Sequence, residues 1–205
     1  MKDLIVAVAD SYQEKVMEAL LPRVPISSGT RPFSFDIVRN PGNDSGSYND
    51  SHELLRYAIK QYYFALVVFD FEGTGIENIK SREDAELTVE NLLSINGWDG
   101  RNAVAVIKPE VENWMWTDSP HVESAIGWER QESLYTWAKN NGRIAVGDSK
   151  PIRPKETLEE ALKISKTSKS SAIYKKIATN VSYKKCDDPA FLKLILKLQE
   201  WFPSS

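Results

Sequence analysis

Carboxylates recur just past the apolar runs of this sequence. Asp10 and Glu14 follow the run from Leu4 to Ala9, Asp70 and Glu72 close the run from Phe64 to Phe69, and Glu110 and Glu112 come soon after Ala103 to Ile107. Short apolar runs rich in valine and bounded by polar residues read as buried strands. If those strands are parallel, their carboxyl ends share one edge of a sheet, which is where open α/β sheets bind ligands. The three acidic pairs would then converge. Oxygen donors suit a hard divalent cation, magnesium or manganese in its place, because such an ion needs few carboxylates and keeps water in its shell. A site of that kind could hold phosphate oxygens, activate water and stabilise the charge that develops in phosphodiester cleavage. In this reading Asp10, Asp70, Glu72 and Glu112 ligate the metal. Asp10, Glu14 and Glu110 support it or handle a proton.

Each acid also has a structural role open to it. Glu14 can reciprocate Ser11 in a capping box, Asp10 can cap the same helix, and Glu110 and Glu112 are favourable charges at a helix N-terminus. Other chemistry is thin. His52 and His121 are far apart and fit surface positions, and Cys186 has no basic neighbour placed by the pattern. Neither a P-loop nor a G-x-G-x-x-G fingerprint is present. Trp114, Met115 and Trp116 read as packing residues. The lysine-rich stretch from Lys150 to Lys185 fits exposed helix faces or, alternatively, a face for a phosphate backbone.

The elements that would position these acids follow from periodicity. Leu4 to Ala9 is a first strand, and Tyr12, Val16, Ala19 and Leu20 space a helix that Pro22 and Pro25 close. Phe33, Phe35 and Ile37 alternate as a half-buried strand. Asn40 to Ser47 reads as a loop by composition. A helix capped by Asp50 or Ser51 then carries Leu54, Leu55, Ala58, Ile59 and Tyr62, and the central strand follows, with Phe71 turned away from Asp70 and Glu72. Glu72 to Lys80 reads as a loop, and Ser81 opens a helix with Leu87, Leu92 and Ile95. Ala103 to Ile107 is the fourth strand. Beyond it the chain reads as mostly helical, with Ser119-Pro120 and Asp188-Pro189 as helix starts, helices near 134–138, 156–164 and 172–177, and a short edge strand or buried loop at 144–146. The last helix carries an apolar stripe of Phe191, Leu192, Ile195, Leu198 and Phe202. Alternating strands and helices give an α/β fold with a mostly parallel sheet, flanking helices and a largely helical C-terminal half. The expected division is a core over 1–118 and a helical extension over 119–205 packed on it.

The whole chain sets few further limits. Its 205 residues, 41% of them hydrophobic, are enough for one substantial core. A net charge of −3 does not advertise nucleic acid, although a local basic face can coexist with an acidic metal site. One cysteine allows no internal disulfide, and the opening apolar run is too short for a membrane span and lacks a cleavage pattern. The expectation is a cytoplasmic protein with no membrane partner.

The carboxylate layout resembles the Toprim fold of topoisomerases, primases and overcoming-lysogenization-defect nucleases, where a glutamate follows the first strand and a D-x-D pair the third. More closely, the chain resembles small bacterial Toprim-like proteins of methylation-associated antiviral defence systems. Their E-G-x-x-E is met here by Asp10-Ser-Tyr-Gln-Glu14, their D-x-D by Asp70-Phe-Glu72, and their P-E-x-E-x-W by Pro109-Glu-Val-Glu-Asn-Trp114. The stretch Cys186-Asp-Asp-Pro-Ala-Phe191 is similar as well. The resemblance implies a magnesium- or manganese-dependent nuclease within a defence system, with nucleic acid and other defence proteins as partners. It departs in Asp10 for glutamate, Ser11 for glycine and Glu72 for aspartate. A second reading is therefore a catalytically inactive adaptor or sensor that binds a partner protein or nucleic acid, and a third is another phosphoryl-transfer enzyme acting on a nucleotide.

Overall fold

The computed structural model describes residues 1–75, 79–184 and 186–204. Ile76 to Asn78, part of the expected loop after the central strand, and Lys185 of the basic stretch lie outside those residues. Four strands, β1 (Lys2–Val8), β2 (Phe35–Arg39), β3 (Tyr62–Asp70) and β4 (Asn102–Ile107), form a parallel sheet in the order β2-β1-β3-β4. The helices are α1 (Ser11–Leu20), α2 (Val24–Ser28), α3 (Asn43–Asn49), α4 (Ser51–Leu54) and α5 (Arg82–Leu93). After β4 come α6 (Glu112–Met115), α7 (Pro120–Ile126), α8 (Leu134–Asn140), α9 (Pro154–Ile164), α10 (Ser171–Asn180) and α11 (Pro189–Trp201). Among the described residues no helix is long and apolar enough to cross a membrane.

Alternation along the strands divides the core in two. Leu4, Val6 and Val8 of β1, Leu66 and Val68 of β3, and Ala103, Ala105 and Ile107 of β4 join one buried cluster, which extends through α1 into α6, α7 and α9 to α11. Ile5, Ala7, Ala65, Val67, Phe69, Val104 and Val106 face the other way, onto Leu55, Ala58, Ala85, Val89, Leu93 and Trp98. Strands buried on both faces explain why the runs in β1, β3 and β4 are continuous rather than alternating. Strand parity puts Asp70 on the side of Leu66 and Val68, and Phe71, just past the strand's end, packs against the smaller cluster.

Several local expectations give way. Asn40 to Ser47 is not all loop, because α3 starts at Asn43. The Asn40 side chain accepts from the Gly42 amide at 2.9 Å to form the turn that starts it, and a Cβ on Gly46 would lie 2.4 Å from Asn40 Oδ1. The single helix expected from residue 50 to 62 is the short α4, a 3-10 turn over Arg56–Ala58 and then β3, since Tyr62 already pairs with Lys2 in the sheet. The cap of α1 is Asp10, not Ser11. In α5, Leu87 stays exposed, as does Ile95 just past its end, while Glu86 is buried, so its inner face is not the one these residues marked. No strand forms at 144–146, where Ile144 is buried and Val146 exposed. Of the stripe read on α11, Phe191, Leu198 and Phe202 are buried and Ile195 is partly so, but Leu192 is exposed and Leu194 faces inward as well.

Candidate carboxylate site

All four strands run the same way, so their carboxyl ends lie on one edge, and acids gather there. Asp70 is the last residue of β3, paired with Ile107 of β4, while β1 beside it ends two residues before Asp10. The Asp10 carboxylate caps α1, with Oδ1 accepting from the Tyr12 and Gln13 amides at 2.8 and 2.9 Å. The buried Gln13 side chain fixes the same turn. Its Oε1 accepts from the Ala9 amide at 3.0 Å and its amide donates to Asp44 at 3.3 Å. Asp44, in the first turn of α3, accepts from the Asp70 backbone N–H at 2.8 Å. The residue facing it is Gly73, where a Cβ would come within 2.2 Å of Asp44 Oδ2. Only glycine leaves that carboxylate its place.

A second group of residues closes the site from the C-terminal half. The Lys155 ammonium, in the first turn of α9, donates to Glu110 at 2.6 Å. Tyr174 of α10 donates to the buried Glu112 at 2.5 Å. The Lys169 ammonium lies over the rings of Tyr12 and Tyr174 and pairs with Glu159 at 2.8 Å.

This crowding moves several protonation equilibria. Burial pushes the Asp70 carboxyl well above the usual carboxylate range, with the charges of Asp44, Glu112 and Asp10 adding to it and Gln13 opposing. Burial and the Asp10 charge raise Asp44 against the Asp70 amide. Burial raises Glu112 as well, helped by Glu110 and opposed by the Tyr174 hydrogen bond. Burial works against the Lys155 ammonium, but Glu110, Glu112 and Asp70 outweigh it and hold the lysine charged.

Of the acids expected at the site, Asp70 feels the charges of Asp10 and Glu112, and Glu112 that of Glu110. Glu14 turns to Arg39, 3.4 Å away, and does not form a capping box. Glu72 is exposed in a 3-10 turn over Glu72–Thr74, because the strand ends at Asp70 and its alternation with it. Asp44, Gln13 and Tyr174 stand at the site although the sequence pattern did not point to them, and Lys155 comes from the lysine-rich stretch read either as exposed helix faces or as a phosphate face. Asp44 carried a legible signal, since it too is an acid shortly after a strand, but its glycine- and asparagine-rich surroundings read as loop. Trp114 and Trp116 are buried as expected. Cys186, in contrast, does have a basic neighbour, with Lys150 Nζ 3.8 Å from its Sγ, yet burial raises the thiol and leaves it no more reactive than usual.

Fit to a divalent cation has two sides. Asp70 Oδ1 is buried with no hydrogen-bond partner, and every acid around it offers oxygen, the donor that magnesium and manganese prefer. Yet among the described residues no three or more histidine, cysteine, aspartate or glutamate side chains are grouped to hold a metal ion. Most of the acids already have a protein partner for one oxygen. Magnesium commonly takes one or two carboxylates and completes its shell with water and substrate phosphate. The carboxylates supply oxygen donors but no closed protein cage among the described residues.

No family model matches the chain, and comparison with curated proteins and with solved structures gives no match.

Proposed function

We propose that the carboxylate edge is the active site of a divalent-cation-dependent phosphodiesterase acting on nucleic acid. The observation that carries this reading is Asp70, a buried carboxylate at the end of the central strand with one oxygen left unpartnered. An unpaired buried carboxylate is costly, and either a proton or a bound cation relieves that cost. Asp70 and Asp44 would hold a magnesium ion, which when bound supplies a positive charge that polarises a phosphoryl oxygen. Asp44 is set for this by the Asp70 amide and Gln13, and Asp10 adds negative charge from the start of α1. Lys155, aimed by Glu110, offers a fixed cation to the non-bridging oxygens of the phosphate. Tyr174 keeps Glu112 oriented at the back of the site. The setting of bacterial antiviral defence rests on the motif resemblance alone.

The test is cleavage of short single- and double-stranded DNA and RNA with magnesium, manganese or a chelator, beside Asp70→Ala. We expect metal-dependent cleavage that the variant loses. Equal cleavage by both proteins would remove Asp70 from the chemistry. A second reading, a non-catalytic adaptor that binds protein or nucleic acid, is favoured because no preformed metal-holding group stands among the described residues. It gains if neither protein cleaves and neither is stabilised by manganese.

A further inference from the structure

β2 is an outer strand of the sheet, with β1 as its one neighbour. That pairing fixes where its backbone groups point. The Leu4 amide donates to the Ser34 carbonyl at 3.0 Å and the Asn40 amide to the Val8 carbonyl at 2.8 Å, with Leu4 opposite Phe35 and Val8 opposite Arg39. In a parallel ladder this phase turns the N–H and C=O of Asp36 and Val38 toward β1, and those of Phe35, Ile37 and Arg39 outward. Among the described residues no hydrogen bond reaches the outward groups of these three. On the opposite edge, by contrast, Glu90 and Glu86 occupy the Val104 and Val106 amides at 3.0 Å each. A row of free backbone groups on an outer strand is a template for a further strand.

The side chains of β2 leave that edge approachable. Phe35 and Ile37 are half-buried against the larger core cluster and Val38 against the smaller, so the middle of the strand is apolar on both faces. Asp36 has its charge met within its own chain, by Lys2 at 2.6 Å and by the Tyr62 hydroxyl. The Arg39 side chain is 60% exposed, with Glu14 3.4 Å away.

We propose that β2 joins two copies of this chain, pairing antiparallel with β2 of the second copy about a two-fold axis at Ile37. In that register Ile37 meets itself, Phe35 meets Arg39 and Asp36 meets Val38. The three outward residues each exchange both backbone bonds, about six in all. The Arg39 guanidinium lies beside the Phe35 ring of the other copy, a favourable cross-strand pair made twice. Neighbouring registers are worse. A shift one way sets Asp36 opposite Asp36, and a shift the other way brings Pro41, which has no amide, opposite Phe35. A strand that complements itself in one register suits an identical copy, since a two-fold contact needs one surface to fit itself. Antiparallel pairing points the carboxyl edges of the two sheets in opposite directions, so the contact leaves both carboxylate sites open and does not depend on their being catalytic. An interface built on one short strand is small, and the association is correspondingly weak.

Sedimentation velocity of the natural chain from about 10 to about 500 μM tests it, a range suited to so small an interface. The chain should be monomeric at the low end and form a dimer, and nothing larger, as concentration rises. Proline is tolerated on an outer strand where its missing N–H would face outward, so Arg39→Pro removes a donor and the guanidinium while leaving the pairing with β1. That variant should keep its far-ultraviolet circular dichroism and self-associate at least tenfold more weakly. Oxidative cross-linking gives a second readout. In a Cys186→Ser chain, Ile37→Cys should link two copies, because residues paired in this way have Cα atoms about 5.5 Å apart, within disulfide reach. Ile26→Cys, 89% exposed on α2, should not. The proposal fails if the natural chain stays monomeric throughout, or if folded Arg39→Pro associates as the natural chain does. It fails equally if Ile26→Cys cross-links as fast as Ile37→Cys, or if association continues past two copies.

Discussion

Asp70 sits where the protein opposes its ionisation, and that opposition can be measured. Its folded pKa lies above that of an unfolded aspartate, about 3.9, so its contribution to stability is complete below that value and is lost as pH rises through the folded pKa. Asp44 and Glu112 are raised too and push in the same direction. The contribution of Asp70 alone is therefore read as a difference between the natural chain and Asp70→Asn. The variant should be more stable at pH 8 by about 0.5–2 kcal/mol in urea unfolding, with the gain shrinking toward pH 4. Manganese should raise the melting temperature of the natural chain and not of the variant. A variant less stable than the natural chain at pH 8 would mean that the carboxylate is satisfied after all. Gly73 tests the geometry next to it. Gly73→Ala puts a Cβ 2.2 Å from Asp44 Oδ2, so Asp44 must move and loosen its bond to the Asp70 amide. The expected loss is about 1–3 kcal/mol in the same unfolding measurement, and Asp44→Ala in that background should then cost less than it does alone. At this scale the pattern of an acid after a strand puts Asp10, Asp70, Glu110 and Glu112 past strand ends on one edge of the sheet, whereas Glu72 is exposed because β3 and its alternation end at Asp70. Asp44 fits the same pattern but sits in glycine- and asparagine-rich sequence that reads as loop.

The β4 edge of the sheet is covered by α5. Its carboxylates reach the outer strand, with Glu90 accepting from the Val104 amide and Glu86 from the Val106 amide, both at 3.0 Å. Lys193 of α11 donates to Glu86 at 3.0 Å and to Glu90 at 2.6 Å, and Arg82 donates to Glu86 at 2.7 Å. Two amides that would otherwise invite another strand are thus taken by side chains whose charge is itself paired. Replacing both glutamates by alanine leaves those amides and Lys193 without partners, at about 1–3 kcal/mol for each amide. Glu86→Ala/Glu90→Ala should unfold at lower urea and elute partly as dimers or larger species in gel filtration. An unchanged urea midpoint with a monomeric profile would show that water serves these amides as well as the glutamates do. This arrangement also accounts for the misplaced face of the helix. A hydrophobic pattern finds leucines, and here the inner face needed carboxylates in register with a strand edge, which no periodicity of apolar residues reports. The strands themselves were legible, since burial on both faces writes a continuous apolar run, and the capped starts of α7 and α11 were legible because serine or aspartate followed by proline acts locally. Where helices are short and tied to distant partners, as α3 is through Asp44 to β3, composition alone misread them.

At the scale of the molecule, the C-terminal half completes the sheet's larger core. Trp201 stacks on Phe64 of β3 with ring centroids 4.7 Å apart, and Phe202 stacks on Phe33 at 4.4 Å. The Arg31 amide donates to the Phe202 carbonyl at 2.9 Å, and Thr30 bridges to Pro203, so the end of the last helix is fastened beside β2. Arg23, at the end of the first helical segment, donates to the carbonyls of Ala178 and Val181 at 2.5 and 2.7 Å. The site is divided in the same way, with Asp10, Asp44 and Asp70 on one side and Lys155 and Tyr174 on the other. A sequence pattern could place the acids and still not foresee their partners, because no local signal ties Lys155 to Glu110 across 45 positions. If one core serves both halves, the chain unfolds as one unit. Calorimetry should then show a single transition whose calorimetric and van't Hoff enthalpies agree. Trp201→Ala should lower stability by about 3–5 kcal/mol even though it lies far along the chain from every strand. A fragment of residues 1–118 should lack a cooperative transition, because Leu4, Val6, Leu66 and Val68 would lose the helices that cover them. Two resolved transitions, or a fragment that melts cooperatively, would show instead that the sheet folds on its own and that α9 and α10 are docked onto a finished site rather than built into it.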